Sequence, residues 1–221
     1  MPYELTLKQI EPVTPDTHHL VFERPEGFTY APGQGVELFV LKDGWDDKGR
    51  PFTPVSLPEE PTLEFVIKSY PDRNGVTKQI GALQPGDKVM MKGPFGAISD
   101  KGPGVFIAGG AGVTPMIAIL RKRLHEHGTL QGSTLVFANK TEADIIWRKK
   151  FEAMKGLTTA FVVDEAGASV PQQRVDADYL RQFVGPDSRC YLCGPPPMMK
   201  AVRAALHDLG VTDGQIIEEK F

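Results

Sequence analysis

The spacing of hydrophobic positions changes character once along this chain. Through residues 1–100 apolar and polar side chains alternate in short runs, as in Tyr3-Glu4-Leu5-Thr6-Leu7, Gly35 to Val40, Leu63 to Lys68 and Lys88 to Lys92. Alternation with a period of two buries one face of a strand and exposes the other. Between the runs stand Ala31-Pro32-Gly33-Gln34-Gly35 and Leu83-Gln84-Pro85-Gly86-Asp87. In these stretches Pro presets φ and Gly accepts positive φ, so the chain turns there. The pattern predicts an antiparallel sandwich or barrel, with the polar stretch Lys42 to Arg50 as a loop.

After residue 100 the runs become continuous and apolar: Val105 to Ala108, Thr134 to Ala138, Ala160 to Val163 and Cys190 to Cys193, each followed by a helix-like segment. Strands alternating with helices make a doubly wound parallel sheet. The expected fold class is therefore two-domain, an antiparallel β half over 1–100 and an α/β half over 101–221. The Gly- and Pro-rich stretch Asp100 to Pro103 joins them.

Composition narrows the partners. With 41% hydrophobic and 24% charged residues in 221, the chain has the make-up of a globular protein. Its net charge is -3, and its basic clusters are no longer than Arg121-Lys122-Arg123 and Arg148-Lys149-Lys150, which argues against nucleic acid. No apolar stretch nears the roughly 20 residues that span a bilayer, and Met1 to Thr6 is unlike a signal peptide. A cytoplasmic protein with no membrane span is expected.

The two cysteines, Cys190 and Cys193, are too few for a disulfide framework or a four-thiolate cluster. On a strand they point to opposite faces, roughly 10 Å apart. Cys190 then reads as core filler, and Cys193, at the strand's end, as the one able to reach a site. His18 and His19 also face opposite ways, and His125, His127 and His207 have no partners at ligand spacing, so no metal is expected. Redox chemistry in such a chain needs a bound organic cofactor.

Two turns of the α/β half carry candidate chemistry. Ala108-Gly109-Gly110-Ala111-Gly112-Val113-Thr114-Pro115 follows the first strand and opens a helix running to about His127, with Gly128 as its stop. Free N–H groups at a helix start favour a pyrophosphate, and glycines let the backbone approach it. Tyr191-Leu192-Cys193-Gly194-Pro195-Pro196-Pro197-Met198 ends the fourth strand. Ligands of doubly wound sheets sit beyond the carboxyl ends of the strands where the strand order reverses, commonly between the first and fourth, so both turns fall at that point. In the β half, Arg50-Pro51-Phe52-Thr53-Pro54 sets a cation, an aromatic ring and a hydroxyl side by side. Arg50 and Phe52 share one face of an extended strand, and Thr53 points the other way unless Pro54 bends the chain.

Taken in order, Arg50 to Thr53, Val66-Ile67-Lys68-Ser69-Tyr70, Gly75-Val76-Thr77, Gly93-Pro94-Phe95-Gly96, Gly109 to Pro115 and Cys193-Gly194-Pro195-Pro196 resemble the ferredoxin–NADP reductase superfamily over nearly the whole chain. The resemblance implies a flavin-binding barrel followed by an NAD(P)-binding sheet. It further implies an enzyme that takes a hydride from NADH or NADPH onto bound FAD, with FMN the lesser expectation, and passes electrons to a ferredoxin, flavodoxin or haem protein. Carried over by position, Arg50 would pair with the flavin pyrophosphate and Phe52 would lie against the flavin or its ribityl chain. Thr53, with Pro54 beside it, would sit near flavin N5. Val66, Lys68 and Tyr70 would line the ribityl and adenine side, and Gly75, Val76 and Thr77 the pyrophosphate.

On the nucleotide side, Gly109, Gly110, Gly112, Pro115, Asn139, Gly194, Pro195 and Met198 would meet the pyridine nucleotide. Thr114 would lie between flavin and nicotinamide, and Cys193 beside the nicotinamide ring. Thr53, Thr114 and Cys193 are the candidate catalytic residues, acting by placing the rings rather than by covalent chemistry. Two positions depart from the family pattern. Phe52 stands where Tyr is usual and loses a hydroxyl hydrogen bond, and Gly75-Val76-Thr77 is a shortened turn in which Thr replaces Ser and keeps the hydroxyl.

Asn139-Lys140-Thr141-Glu142-Ala143-Asp144 follows the second strand of the α/β half, where a ribose is expected. Lys140 could take a 2′-phosphate, whereas Glu142 or Asp144 would repel one, which favours NADH. Ile216 to Phe221 reads as the last sheet strand or as a terminal aromatic that caps the flavin. Two other readings of the chain are a non-catalytic flavin-binding subunit of a larger electron-transfer complex and a stand-alone flavin or ferric reductase with small acceptors.

Overall fold

The computed structural model describes residues 2–96, 98–167 and 169–218. In the first half, β1 (Tyr3–Thr14), β2 (Thr17–Glu23), β3 (Gly35–Val40), β4 (Arg50–Phe52), β5 (Thr62–Lys68) and β6 (Lys88–Phe95) form one antiparallel sheet in the order β4-β3-β6-β1-β2-β5. Just past β4 the chain reaches the opposite edge. Pro54 bridges Phe65, and the Val55 N–H donates to the Glu64 carbonyl at 2.8 Å, closing the sheet into a barrel. The alternating positions Leu5, Leu7, Leu20, Phe22, Leu38, Phe65 and Val89 fill its interior.

Two features of this half differ from the sequence pattern. Strand β1 continues past Leu7 to Thr14 because its pairing with β2 holds a segment whose side chains are mostly exposed or half-buried. The turn expected at Gly75 to Thr77 is instead the start of helix α1 (Val76–Gly81), with Gly75 extended at its N-cap. Val76 and Ile80 drop into the barrel core, and their burial rather than the turn residues sets the helix.

In the second half β7 (Val105–Gly109), β8 (Ser133–Asn139), β9 (Leu157–Val163), β10 (Cys190–Cys193) and β11 (Ile216–Glu218) pair in parallel in the order β11-β10-β7-β8-β9. Helices α2 (Thr114–His127), α3 (Arg148–Glu152), α4 (Ala177–Leu180) and α5 (Pro196–Asp208) connect them. The strand order reverses between β7 and β10, so the crevice lies at their carboxyl ends. Helix α2 stops at His127 because Gly128 takes the left-handed conformation, φ 67°. Successive residues of β10 serve opposite layers: Cys190 and Leu192 pack with Val202 and Leu206 of α5, and Tyr191 and Cys193 with the layer that includes Met116 and Leu120 of α2.

The halves share that second layer, since Val55, Val66 and Ile98 pack with Met116 and Ile119 of α2. Arg121 of α2 reaches across to the Val55 carbonyl at 2.5 Å and to Glu60 Oε1 at 2.6 Å, and Lys122 pairs with Glu59. The connecting stretch is tied down as well. Arg123 Nη1 donates to both oxygens of Asp100 at 3.0 Å, and Tyr191 Oη donates to the Gly102 carbonyl at 2.8 Å while accepting from the Lys101 N–H at 2.8 Å.

Candidate functional site

A cleft of about 210 Å³ opens where strand ends of the two halves face each other. Its β wall is made of Gly35 from the start of β3, Pro51, Phe52 and Thr53 from β4 and the bend after it, Val66, Ile67, Lys68 and Tyr70 from the end of β5, Thr77 of α1 and Phe95 of β6. Its α/β wall is Ala111 in the turn between β7 and α2, Thr114 and Pro115 at the start of α2, and Cys193 at the end of β10. This volume is below the ~300–1,000 Å³ of pockets that enclose a whole drug-sized ligand. The cleft is therefore sized for one end of a large ligand rather than for the whole of it.

Polarity decides which end. Phe52, Val66, Ile67, Phe95, Pro51 and Pro115 give flat apolar walls, and Thr53, Thr77, Thr114 and Cys193 give polar points between them. Among the described residues no carboxylate lines the cleft. Tyr70 and Phe95 are 41% and 39% exposed, unusual for large rings, and both stand in its walls. An aromatic heterocycle with hydrogen-bonding edges fits such a slot, and flavin and nicotinamide rings both answer that description. Among the described residues the one charged side chain in the walls, Lys68, is held by Asp16 at 2.9 Å. Burial alone would raise the Asp16 carboxyl, but the Lys68 ammonium and the Thr14 and Thr17 hydroxyls hold it below its ordinary 3.8.

The structure brings Phe52, Thr53, Val66, Lys68, Tyr70 and Thr77 to the same cleft as Thr114, Pro115 and Cys193. Thr53, whose direction depended on the bend at Pro54, turns into the cleft beside Phe52, while Pro54 itself is buried in the barrel seam. Arg50 lies outside it, solvent-exposed, with Nη1 donating to the Gly49 carbonyl at 2.7 Å. Val76 has its side chain in the barrel core, so only its main chain and that of Gly75 remain for a ligand. Phe221 lies outside the described residues.

The glycine-rich turn also has a packing reason for its glycines. A Cβ on Gly112 would overlap the Cys193 carbonyl and come 2.7 Å from the Gly194 nitrogen, and one on Gly109 would overlap Met198 Sδ and come 3.0 Å from Pro195 Cδ. These glycines let the β7 and β10 ends approach each other. Only Gly110, with φ 51° and open space where a Cβ would stand, is required by conformation alone. Gly109, Gly112, Gly194, Pro195 and Met198 thus form one packed unit beneath the cleft. Asn139, the last residue of β8, is 6% exposed, and its Nδ2 finds no partner among the described residues.

Gly35, Pro51, Ile67, Phe95 and Ala111 also line the cleft; they stand within the turns and motifs quoted from the sequence, which gave them no site role. Phe95 had a usable signal: a large aromatic between the glycines of Gly93-Pro94-Phe95-Gly96, at a strand end where no core is available to it. On the inert side, burial pushes the Cys190 thiol up to about 11. No helix is long and apolar enough to cross a membrane among the described residues.

Comparison with known proteins agrees with this geometry. Residues 4–99 match the family described as an oxidoreductase FAD-binding domain, and residues 106–204 match the oxidoreductase NAD-binding domain. NADH-cytochrome b5 reductase 2 of Meyerozyma guilliermondii is 30% identical, over 97% of this chain and 80% of the relative. NADH-cytochrome b5 reductase 2 of Mycosarcoma maydis is 31% identical over 90% of this chain, which spans 63% of that relative's length. Among solved structures, the CS-b5R domains of human Ncb5or in the NAD+ form superpose with a TM-score of 0.86 at 29% identity, over all of this chain and 70% of that one.

Proposed function

The chain belongs to the ferredoxin–NADP reductase superfamily of FAD- and NAD-binding oxidoreductases, and from that premise we propose that it is an NADH-dependent reductase delivering electrons to a protein acceptor of haem type. When bound, FAD supplies acceptance of a two-electron hydride and release of electrons one at a time. The observation that carries the reading is the single cleft shared by the ends of β4, β5 and β6 and the start of α2 with the end of β10. Two flat rings entering from opposite halves would meet there face to face.

In this reading the chain's own residues orient and exclude. Phe52 and Val66 bear on one ring face, and the Thr53 hydroxyl offers a hydrogen bond at its edge. Thr114, whose Oγ1 is fixed on the Ala111 carbonyl at 3.1 Å, would stand at the edge where the two rings meet. Cys193 bounds the nicotinamide from the β10 side, and Pro115 starts α2 without an N–H, leaving its neighbours' donors for the pyrophosphate. Arg50, Gly75 and Thr77 approach the flavin pyrophosphate, with Tyr70 and Lys68 along its ribityl and adenine side. The domain division at residues 100–101 follows the change of sheet.

Preference for NADH rests on the charges after β8. Lys140 pairs with Glu165 at 3.3 Å, and Arg148 is held by Glu142 at 2.5 Å and Glu152 at 2.9 Å. Each cation is already matched by a carboxylate, so a 2′-phosphate would gain little and meet Glu142 and Glu165. The haem-type acceptor is argued from the b5 reductase relatives. The test is steady-state reduction of a b5-type cytochrome by the FAD-loaded protein with each nucleotide. NADH should exceed NADPH in kcat/KM by about tenfold or more, the equivalent of ~1.4 kcal/mol. Equal use of both nucleotides would overturn the NADH assignment, and reduction of small acceptors only would overturn the protein acceptor.

A further inference from the structure

Away from the cleft, the two halves meet at a second cluster of titratable groups. His19 on β2 has Nδ1 3.2 Å from Glu11 Oε1 on β1 and Nε2 3.0 Å from Glu64 Oε2 on β5, and its side chain is 12% exposed. A neutral imidazole has one N–H, so one of these two contacts would set a lone pair against a carboxylate. Only the imidazolium donates to both. Both carboxylates are themselves anchored, Glu64 by the Thr62 hydroxyl at 2.8 Å and Glu11 by Gln9 Nε2 at 3.1 Å.

The other half supplies a ring to this cluster. Trp147 lies edge-on to His19, centroids 5.4 Å apart and planes at 77°. Its backbone is left-handed, φ 52° and ψ 32°, a conformation bulky residues rarely adopt, and no other described non-glycine residue has positive φ. Lys150 Nζ lies over that ring, 3.5 Å from its centroid. Trp147 also ends the loop 140–146 that leaves β8. What fixes Trp147 against the barrel therefore fixes that loop.

We propose that His19 is an interdomain positioning residue: as imidazolium, gripped by Glu11 and Glu64 and packed on Trp147, it holds the loop after β8 in place for the adenosine end of the pyridine nucleotide, and losing its proton loosens that hold. The inference rests on the reading of residues 139–144 as the ribose-facing segment. The charged groups facing the imidazole are Glu11 of β1, Glu64 of β5 and Lys150 of α3, with Arg121 of α2 beyond them, itself paired with Glu60. Burial by itself lowers the His19 pKa, but the hydrogen bonds that the imidazolium donates to Glu64 and Glu11 outweigh it and leave it above its ordinary 6.5. A raised value means the clasp is complete below pH 6.5 and is lost as the pH climbs through the raised pKa.

The test uses the FAD-loaded protein in a Trp45→Phe background, which leaves Trp147 as the sole indole of the two in the chain. Trp147 emission should titrate with a midpoint above pH 6.5, move to lower pH in Glu64→Gln, and lose the transition in His19→Gln. Over the same range KM for NADH should rise about two- to fivefold in the parent protein while kcat holds, as expected for a partly buried ion pair. In His19→Gln, KM should already be high at low pH and stay flat. Emission without a titration, or KM profiles of parent and His19→Gln that run parallel, would overturn the proposal. The fluorescence arm needs no nucleotide, so failure of NADH to react at all would strike the functional reading and leave the clasp to be judged by emission.

Discussion

The two halves build their share of one cleft in different ways. In the α/β half the site is placed by topology: once strands β7 and β10 flank the reversal of strand order, their carboxyl ends must open into a crevice whatever residues they carry. In the barrel the site residues come from where regular pairing stops, at the end of β4, the end of β5, the start of α1 and the end of β6. The first arrangement is robust in its location and sensitive to side-chain size. The second depends on individual bends, as at Thr53 and Pro54.

The sharpest way to break the comparison is Gly112→Ala. The new Cβ would meet the main chain of Cys193 and Gly194, which cannot yield as a flexible side chain would. The strand ends must part, and a misplacement near 1 Å can slow a reaction of oriented rings about 10²-fold. Stopped-flow reduction of the flavin by NADH measures this, and a rate within a few-fold of the parent would remove the account of the glycines. Gly110→Ala provides the contrast. With open space around it, only its φ of 51° is strained, which costs about 1 kcal/mol of stability and lowers Tm by ~2–4 °C.

On the barrel side, Phe52→Ala should weaken FAD binding about five- to thirtyfold, or ~1–2 kcal/mol, through loss of a ring contact. Phe52→Tyr should tighten it, and equilibrium dialysis of FAD reads both. A smaller effect is expected where the halves are tied. Arg121→Ala removes hydrogen bonds to Val55 and Glu60 and should cost about 1 kcal/mol, seen as a Tm lower by ~2–4 °C.

The smallest effect concerns acid. Asp16 lies below its ordinary 3.8, so its pairing with Lys68 stabilises the fold above that pH and is lost as pH falls through the depressed value. Because both groups are partly exposed, the gap in Tm between the parent and Asp16→Asn should be slight at pH 5 and shrink as the pH falls below 3.8 through the depressed value.

These contrasts also explain what the sequence discloses. The change of period near residue 100 and the positions of the β7 and β10 turns carry the architecture and the crevice, because periodicity and topology are physical constraints on every doubly wound sheet. The barrel's contribution is visible only as an ordered set of motifs, since Arg50 to Thr53 on its own is one surface residue and one half-buried ring. Helix α1 escaped because Gly75 and Thr77 read as a turn, while the burial of Val76 and Ile80 that makes it a helix is a tertiary fact. The His19 cluster escaped for the same reason. Glu11, His19, Glu64 and Trp147 are distant in sequence, and only closure of the barrel and docking of the sheet bring them together.

The central claim is that a pyridine nucleotide and a flavin meet in this one cleft, and an anaerobic titration of the FAD-loaded protein tests it most directly. Stepwise addition of NADH should bleach the oxidised-flavin absorbance to completion near one equivalent, and NADPH should act far more slowly. Flavin that binds yet is bleached by neither nucleotide, or protein that takes up no FAD, would contradict the account.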